Sequence, residues 1–257
     1  MPYTIQYASD LHIEFAANKQ FLKLHPLQPV GDVLVLAGDI VPFAIMDKHK
    51  DFFTRLGDQF EQVYWLPGNH EYYGFDVSKK CGRLQEKIGA NVSLVNNVAI
   101  MHQGVKLIFS TLWSHISPAH EWEIEKGMND FRVIRFGDFR FSAQRYNQLH
   151  LESLAFLMQE IMEAKESKES KMVVFTHHCP TFMNYPIQYK GDVLNEAFAV
   201  ELFDLIEQSG ISYWGYGHHH SNTPAFYIGS TQLITNQLGY VQRNEHGLFE
   251  SNKVIVL

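Results

Sequence analysis

Seven of the chain's 14 histidines fall in four short stretches, each beside other groups able to bind a cation or move a proton. The stretches are Ser9-Asp10-Leu11-His12, Gly68-Asn69-His70-Glu71, His177-His178 and Gly217-His218-His219-His220, and Gly38-Asp39 adds a further carboxylate. The candidate metal ligands Asp10, His12, Asp39, Asn69, His177, His218 and His220 offer oxygen and nitrogen and no sulfur. Such a set suits borderline divalent ions such as Zn, Mn, Fe or Co better than a structural zinc that needs cysteine. In extended backbone residues i and i+2 point the same way, so Asp10 with His12, and His218 with His220, are expected to converge in pairs. Seven donors exceed what one tetrahedral ion needs. Two ions sharing Asp39 are the economical solution, with Asp10, His12, Asp39 and His220 around one and Asp39, Asn69, His177 and His218 around the other. Either His177 or His178 could serve, and His177 is favoured because it follows its apolar run directly. His219 is expected to point away, towards packing or support.

Other residues near these stretches carry weaker expectations. His70 is the candidate to donate a proton or to bind a phosphoryl oxygen, and Glu71 is expected to support a ligand from behind. Cys179 reads as a buried thiol rather than a nucleophile. Trp113, Arg132 and Tyr72, with Tyr73, Tyr185 and Asn129, are candidates to line a substrate pocket; the guanidinium of Arg132 suits phosphate oxygens. On that expectation, truncating Trp113 or Arg132 would change substrate preference and leave metal binding intact.

The elements that must position these residues are legible as periodicity. Short apolar runs, YTIQYA, DVLVLA, QVYWLP, KMVVFT and ISYWGY, immediately precede the five stretches and read as buried strands. Helical spacing marks Lys48 to Phe60, Asp76 to Ile88, Gln144 to Glu163 and Glu196 to Gln208. The alternation predicts an α/β core with its site in the crevice beyond the carboxyl ends of the strands. Three runs between residues 92 and 111, divided at Asn96-Asn97 and Gln103-Gly104, read as a meander and make two sheets plausible. The charged stretch from Glu163 to Lys171 reads as a solvated helix end and loop. Ser114 to Phe141 reads as an excursion over the site, within a single domain spanning residues 1–257.

Composition narrows the function classes. The 257 residues suffice for a sizeable core. Lys plus Arg number 21 against 28 Asp plus Glu, a formal net charge of −7, and no basic stripe tracks a phosphate backbone, so long nucleic acid is disfavoured as a partner. Two cysteines cannot build a disulfide framework, and no apolar run is long enough for a membrane span. The expectation is a cytoplasmic protein; oligomeric state leaves no trace in the sequence.

The ordered blocks Asp10-Leu11-His12, Gly38-Asp39, Gly68-Asn69-His70-Glu71, His177, and Gly217-His218-His219-His220 resemble the signature of the calcineurin-like metallophosphoesterase superfamily. They run from Asp10 to His220, nearly the whole chain. The resemblance implies a four-layer α-β-β-α sandwich of two mixed sheets flanked by helices, and it implies the same seven ligands around two metal ions. Ser110-Thr111-Leu112-Trp113-Ser114 with Met128-Asn129-Asp130-Phe131-Arg132 is similar to a subgroup of small prokaryotic members. Gly38-Asp39-Ile40-Val41 continues into Pro42-Phe43 and lacks the second Asp and the Arg of the Ser/Thr protein phosphatase branch, which disfavours that branch. The expected activity is hydrolysis of a small phosphomonoester or phosphodiester, by in-line attack of a hydroxide shared by two metals, with Asp39 and His70 as catalytic groups. The rivals are a non-catalytic scaffold of the same fold and a nuclease acting on short oligonucleotides.

Overall fold

A computed structural model describes residues 2–167 and 171–257. The central strands are buried on both faces, and alternation sorts their side chains between two apolar clusters. In β2 (Val33–Ala37), Val33, Val35 and Ala37 face one cluster while Leu34 and Leu36 face another. β1 (Thr4–Ala8), β2, β3 (Gln62–Leu66) and β5 (Val92–Asn96) run parallel, flanked by antiparallel β14 (Val254–Val256) beside β1 and β4 (Leu84–Lys87) beside β5. A second sheet repeats the plan. Its parallel strands are β7 (Val105–Ser110), β10 (Met172–Thr176), β11 (Tyr213–Tyr216) and β13 (Thr231–Thr235), with antiparallel β6 (Val98–His102) and β12 (Phe226–Ile228) at the edges.

The two sheets pack face to face. Ile5, Tyr7, Val35, Tyr64 and Leu66 of the first meet Leu107, Phe109, Val173 and Phe175 of the second. Helices α1 (Ala16–Leu24) and α2 (Lys50–Gln59) cover the outer face of the first sheet through Leu22, Phe53 and Leu56. Helices α5 (Ala143–Ser167) and α6 (Phe203–Ser209) cover the second through Leu157, Ile161 and Ile206. The result is the expected α-β-β-α layering of two mixed sheets.

Three expectations need correction. The segment 92–111 is not a meander: β5 pairs with β3 in the first sheet, while β6 and β7 form a hairpin in the second. The chain changes sheets at Asn97, whose backbone is left-handed (φ 47°), and Asn96 locks the crossing by accepting from the Thr111 amide at 2.7 Å. Asp76 to Ile88 is not a helix. Left-handed Gly82 (φ 66°) breaks it into a short 3₁₀ turn, Val77–Lys79, and the edge strand β4. Glu196 to Gln208 is not one helix: Glu196 and Ala197 end a 3₁₀ segment, Val193–Ala197, Ala199 is drawn into a bridge with Cys179, and the α-helix starts only at Phe203. In the charged stretch after Glu163, α5 continues to Ser167, and residues 168–170 lie outside the described residues.

The excursion from Ser114 to Phe141 contains α3 (Glu121–Gly127), α4 (Asp130–Val133) and the hairpin of β8 (Arg135–Phe136) with β9 (Phe139–Arg140). Its Ile124, Phe131, Ile134 and Phe141 pack into the same cluster as Trp65 and Leu94 of the first sheet. Trp113, expected to line a pocket, is instead part of that core. It is 2% exposed, with its ring against Tyr72, Phe141, Tyr146 and His178. Trp113→Ala is therefore expected to lower the unfolding free energy by about 3–5 kcal/mol in denaturant titration. A loss within about 0.5 kcal/mol, as for a surface site, would contradict the packing.

Candidate metal centre

Every candidate ligand stands just beyond the carboxyl end of a parallel strand: Asp10 and His12 after β1, Asp39 after β2, Asn69 after β3, His177 after β10, His218 and His220 after β11. The two sheets thus deliver their strand ends to one place. Five of these residues adopt left-handed backbone, Asp10 (φ 56°), His12 (φ 45°), Asp39 (φ 56°), His218 (φ 78°) and His220 (φ 51°). The paired convergence expected from extended backbone therefore arises from tight turns. Each such residue carries a strain of order 1 kcal/mol that the surrounding bonds must outweigh. Some of those bonds are the Asp10 amide to the Gly38 carbonyl and the His12 amide to the Asp39 carbonyl, both at 2.9 Å. Glycines beside the ligands have no room for a side chain. A Cβ on Gly38 would sit 2.2 Å from Nδ1 of His177, and one on Gly68 would sit 2.2 Å from Oδ1 of Asp39.

The side chains form two groups that share Asp39. In one, Nε2 of His12 lies 3.0 Å from Nε2 of His220 and 3.7 Å from Oδ2 of Asp39, and Nε2 of His220 lies 3.4 Å from Oδ1 of Asp10. In the other, Nε2 of His177 lies 3.3 Å from Oδ1 of Asp39 and 3.2 Å from Nδ1 of His218. Behind each imidazole an acceptor holds the far nitrogen: Glu14 for His12 at 3.2 Å, Glu245 for His220 at 2.8 Å, the Ala37 carbonyl for His177 at 3.0 Å and the Ala197 carbonyl for His218 at 3.2 Å. A far nitrogen that donates backwards leaves the near nitrogen a bare lone pair. Four such lone pairs and two carboxylates then face one another. Asn69 completes the second group, since its Nδ2 donates to Asp130 at 3.0 Å while its buried Oδ1 has no partner. Oxygen and imidazole nitrogen around a shared carboxylate, with an orphaned amide oxygen, fit divalent cations.

Protons answer part of that demand when no cation is bound. Burial opposes a charge on His220, but its bonds to Asp10 and Glu245 outweigh burial and push it up to about 10. Burial likewise opposes a charge on His177, and the adjoining carboxylate of Asp39 outweighs it, pushing it up to about 9. His218 goes the other way: burial, then His178 and His177, hold it well below the usual imidazole range. Burial also works against ionised Asp39, yet the neighbouring histidines keep its carboxyl well below the ordinary value.

Glu71 sits beneath the site as expected. Fully buried, it accepts from the backbone amides of Asp39, Ile40 and Gly68 and from the Trp65 indole. His177 rather than His178 enters the cluster. His178 turns its Nδ1 to the Thr111 carbonyl at 3.2 Å, and its buried Nε2 has no partner. His219 points aside, its Nδ1 accepting from Ser221 and close to Gln237. Cys179 is a buried thiol, pushed up to about 12 by desolvation.

A cavity of about 340 Å³ opens over Asp39, Asn69, His218 and His220. Tyr73, Tyr185 and Asn129 line it as expected, with Met128 and Gly127 of the excursion beside them. Tyr72 and Arg132 do not line it. Tyr72 is buried with its hydroxyl donating to the Lys80 carbonyl, and Arg132 is exposed and donates to the Lys126 carbonyl. An aromatic or guanidinium residue type does not reveal which way it faces. Sequence reasoning also missed Glu14, Asp130, Tyr240 and Glu245. Glu14 continues the i, i+2 spacing after His12 and was discoverable; Glu245, 25 positions from its partner, carries no local signal.

A model of the calcineurin-like phosphoesterase family matches residues 4–222. The chain belongs to that family. It is 30% identical over 268 residues to an uncharacterized protein of Acanthamoeba polyphaga mimivirus, covering 92% of this chain and 91% of the viral one. Among solved structures it resembles a phosphopantetheinyl hydrolase from Mycobacterium tuberculosis (TM-score 0.66, 16% identity, 100% of this chain and 96% of that one). It also resembles a dimetal phosphatase from Danio rerio (TM-score 0.50, 14% identity, 92% and 88%). At such identities the likeness is one of fold. Among the described residues of this phosphoesterase, no helix is long and apolar enough to cross a membrane.

A cation taken up at these groups would have to displace the protons on His177 and His220. Apparent Mn affinity is therefore expected to fall by about ten-fold per displaced proton for each unit of acidification below about pH 9. Chelator-competition titrations at several pH values measure this, and an affinity independent of pH would contradict it.

Proposed function

We propose that this calcineurin-like phosphoesterase hydrolyses a small phosphomonoester or phosphodiester with the help of two divalent cations. The observation that carries the reading is the convergence of bare nitrogen and carboxylate lone pairs on the two sides of Asp39, at the floor of an open cavity. Asp10, His12, Asp39 and His220 would hold one ion, and Asp39, Asn69, His177 and His218 the other. Bound there, the ions supply Lewis acidity towards phosphoryl oxygens and bring the pKa of water towards neutrality. No donor of the set is missing, which disfavours a scaffold that has lost its chemistry.

The chain's own residues supply orientation and protons. His70 faces the cavity with its ring stacked on Tyr73 at 4.0 Å between centroids, its Nδ1 3.3 Å from Glu14 and its Nε2 3.4 Å from the Tyr240 hydroxyl. Burial disfavours its charged form, but Asp39 and Glu14 outweigh that and raise it above the ordinary histidine value. The protonated form that this raise favours is suited to neutralise a phosphoryl oxygen or to protonate the departing alkoxide. Tyr73, Tyr185 and Phe198 provide apolar walls, and Asn129 and Asn195 provide amides that can fix a ligand's orientation. The cavity's size and the chain's net charge of −7 favour a small ester over a long polyanion.

Purified protein supplied in turn with Mn, Zn, Fe and Co is expected to hydrolyse a chromogenic mono-ester or bis-ester; silence with every metal would contradict the reading. Asp39→Asn is expected to lose bound metal and turnover together, and full turnover in that variant would refute the assignment. His70→Gln is expected to keep its metal content by plasma mass spectrometry while kcat drops by about 10²–10⁴-fold. Parallel loss of metal would make His70 a structural support instead.

A further inference from the structure

A second cavity, of about 250 Å³, lies between α1 and α2 on the outer side of the first sheet. Its wall is apolar: Ile13, Leu22, Leu27 and Leu56 are buried there, each less than a tenth exposed. Its mouth is cationic. Lys19 and Lys23 stand one turn apart on α1, a helix with no acidic residue, and Arg55 faces them from α2. None of the three has an ion-pair partner among the described residues, and no carboxylate lines the cavity, in a chain whose net charge is −7. Two lysines four residues apart on a helix repel, so three clustered cations over a hydrophobic wall complement a ligand with one anionic end and one apolar end. His49, also on the wall, feels the same field: burial and then Lys19 hold it below the ordinary histidine value.

We infer that this cavity binds a small organic monoanion with an apolar body, a short-chain or aromatic carboxylate or sulfonate. The head group sits at Lys19, Lys23 and Arg55, and the body lies against Ile13, Leu22, Leu27 and Leu56. Ile13 adjoins His12, so the ligand packs behind the loop that carries a candidate metal ligand without touching the centre itself. Isothermal titration of the full chain, with octanoate and octanesulfonate as probes, tests this apart from any activity. Saturable one-to-one binding of octanoate or octanesulfonate is expected, at least about ten-fold tighter than octan-1-ol, with no binding of octylammonium. The double variant Lys23→Gln with Arg55→Gln changes only exposed side chains. It should keep its melting temperature and lose about ten-fold in octanoate affinity. Equal binding of octanoate and octan-1-ol, or full affinity in the double variant, would overturn the inference.

Discussion

The structure turns on a repulsion. Four imidazoles are tied from behind by Glu14, Glu245 and two backbone carbonyls, so each presents a lone pair to the same few ångströms that hold the carboxylates of Asp10 and Asp39. In a buried setting of low dielectric such a cluster is costly unless positive charge fills it. Protons on His177 and His220 relieve it in part, and divalent cations would relieve it more fully. Much of the surrounding architecture holds these groups against that cost.

Two sheets share the task. Each contributes parallel strands whose carboxyl ends open onto the same crevice, and the face-to-face core of Tyr7, Phe109 and Phe175 fixes one sheet against the other. At the strand ends the backbone turns through left-handed residues, and Gly38 and Gly68 leave space where His177 and Asp39 approach most closely. Strain concentrated at five of seven candidate ligands is the pattern expected when geometry at a site is set against local preference. Glu71 offsets some of it by gathering four backbone amides of the strand-end loops, those of Asp39, Ile40, Val41 and Gly68, on one carboxylate.

The layered α/β architecture and the convergence of the candidate ligands were legible because each cluster of polar residues follows a short apolar run, so a strand and its polar end appear together in the sequence. Within the clusters, residue type and order indicated which groups approach one another, but not the left-handed backbone that brings them together. Pocket residues were less legible. Tyr73, Asn129 and Tyr185 reach the cavity while Trp113, Tyr72 and Arg132 do not, and nothing in residue type separates the two groups. Helical spacing misled at Asp76 to Ile88, where one left-handed glycine and the pairing offered by β5 outweighed local periodicity. The split of segment 92–111 between sheets depends on Asn96 and Asn97 bonding to Thr111 and Ser110, contacts that no local pattern announces.

Anomalous diffraction from crystals grown with excess Mn tests the central claim most directly. Two peaks about 3.5–4 Å apart are expected, flanking the Asp39 carboxylate, one against His12 and His220 and the other against Asn69, His177 and His218. A single peak, or none within bonding distance of Asp39, would contradict the account.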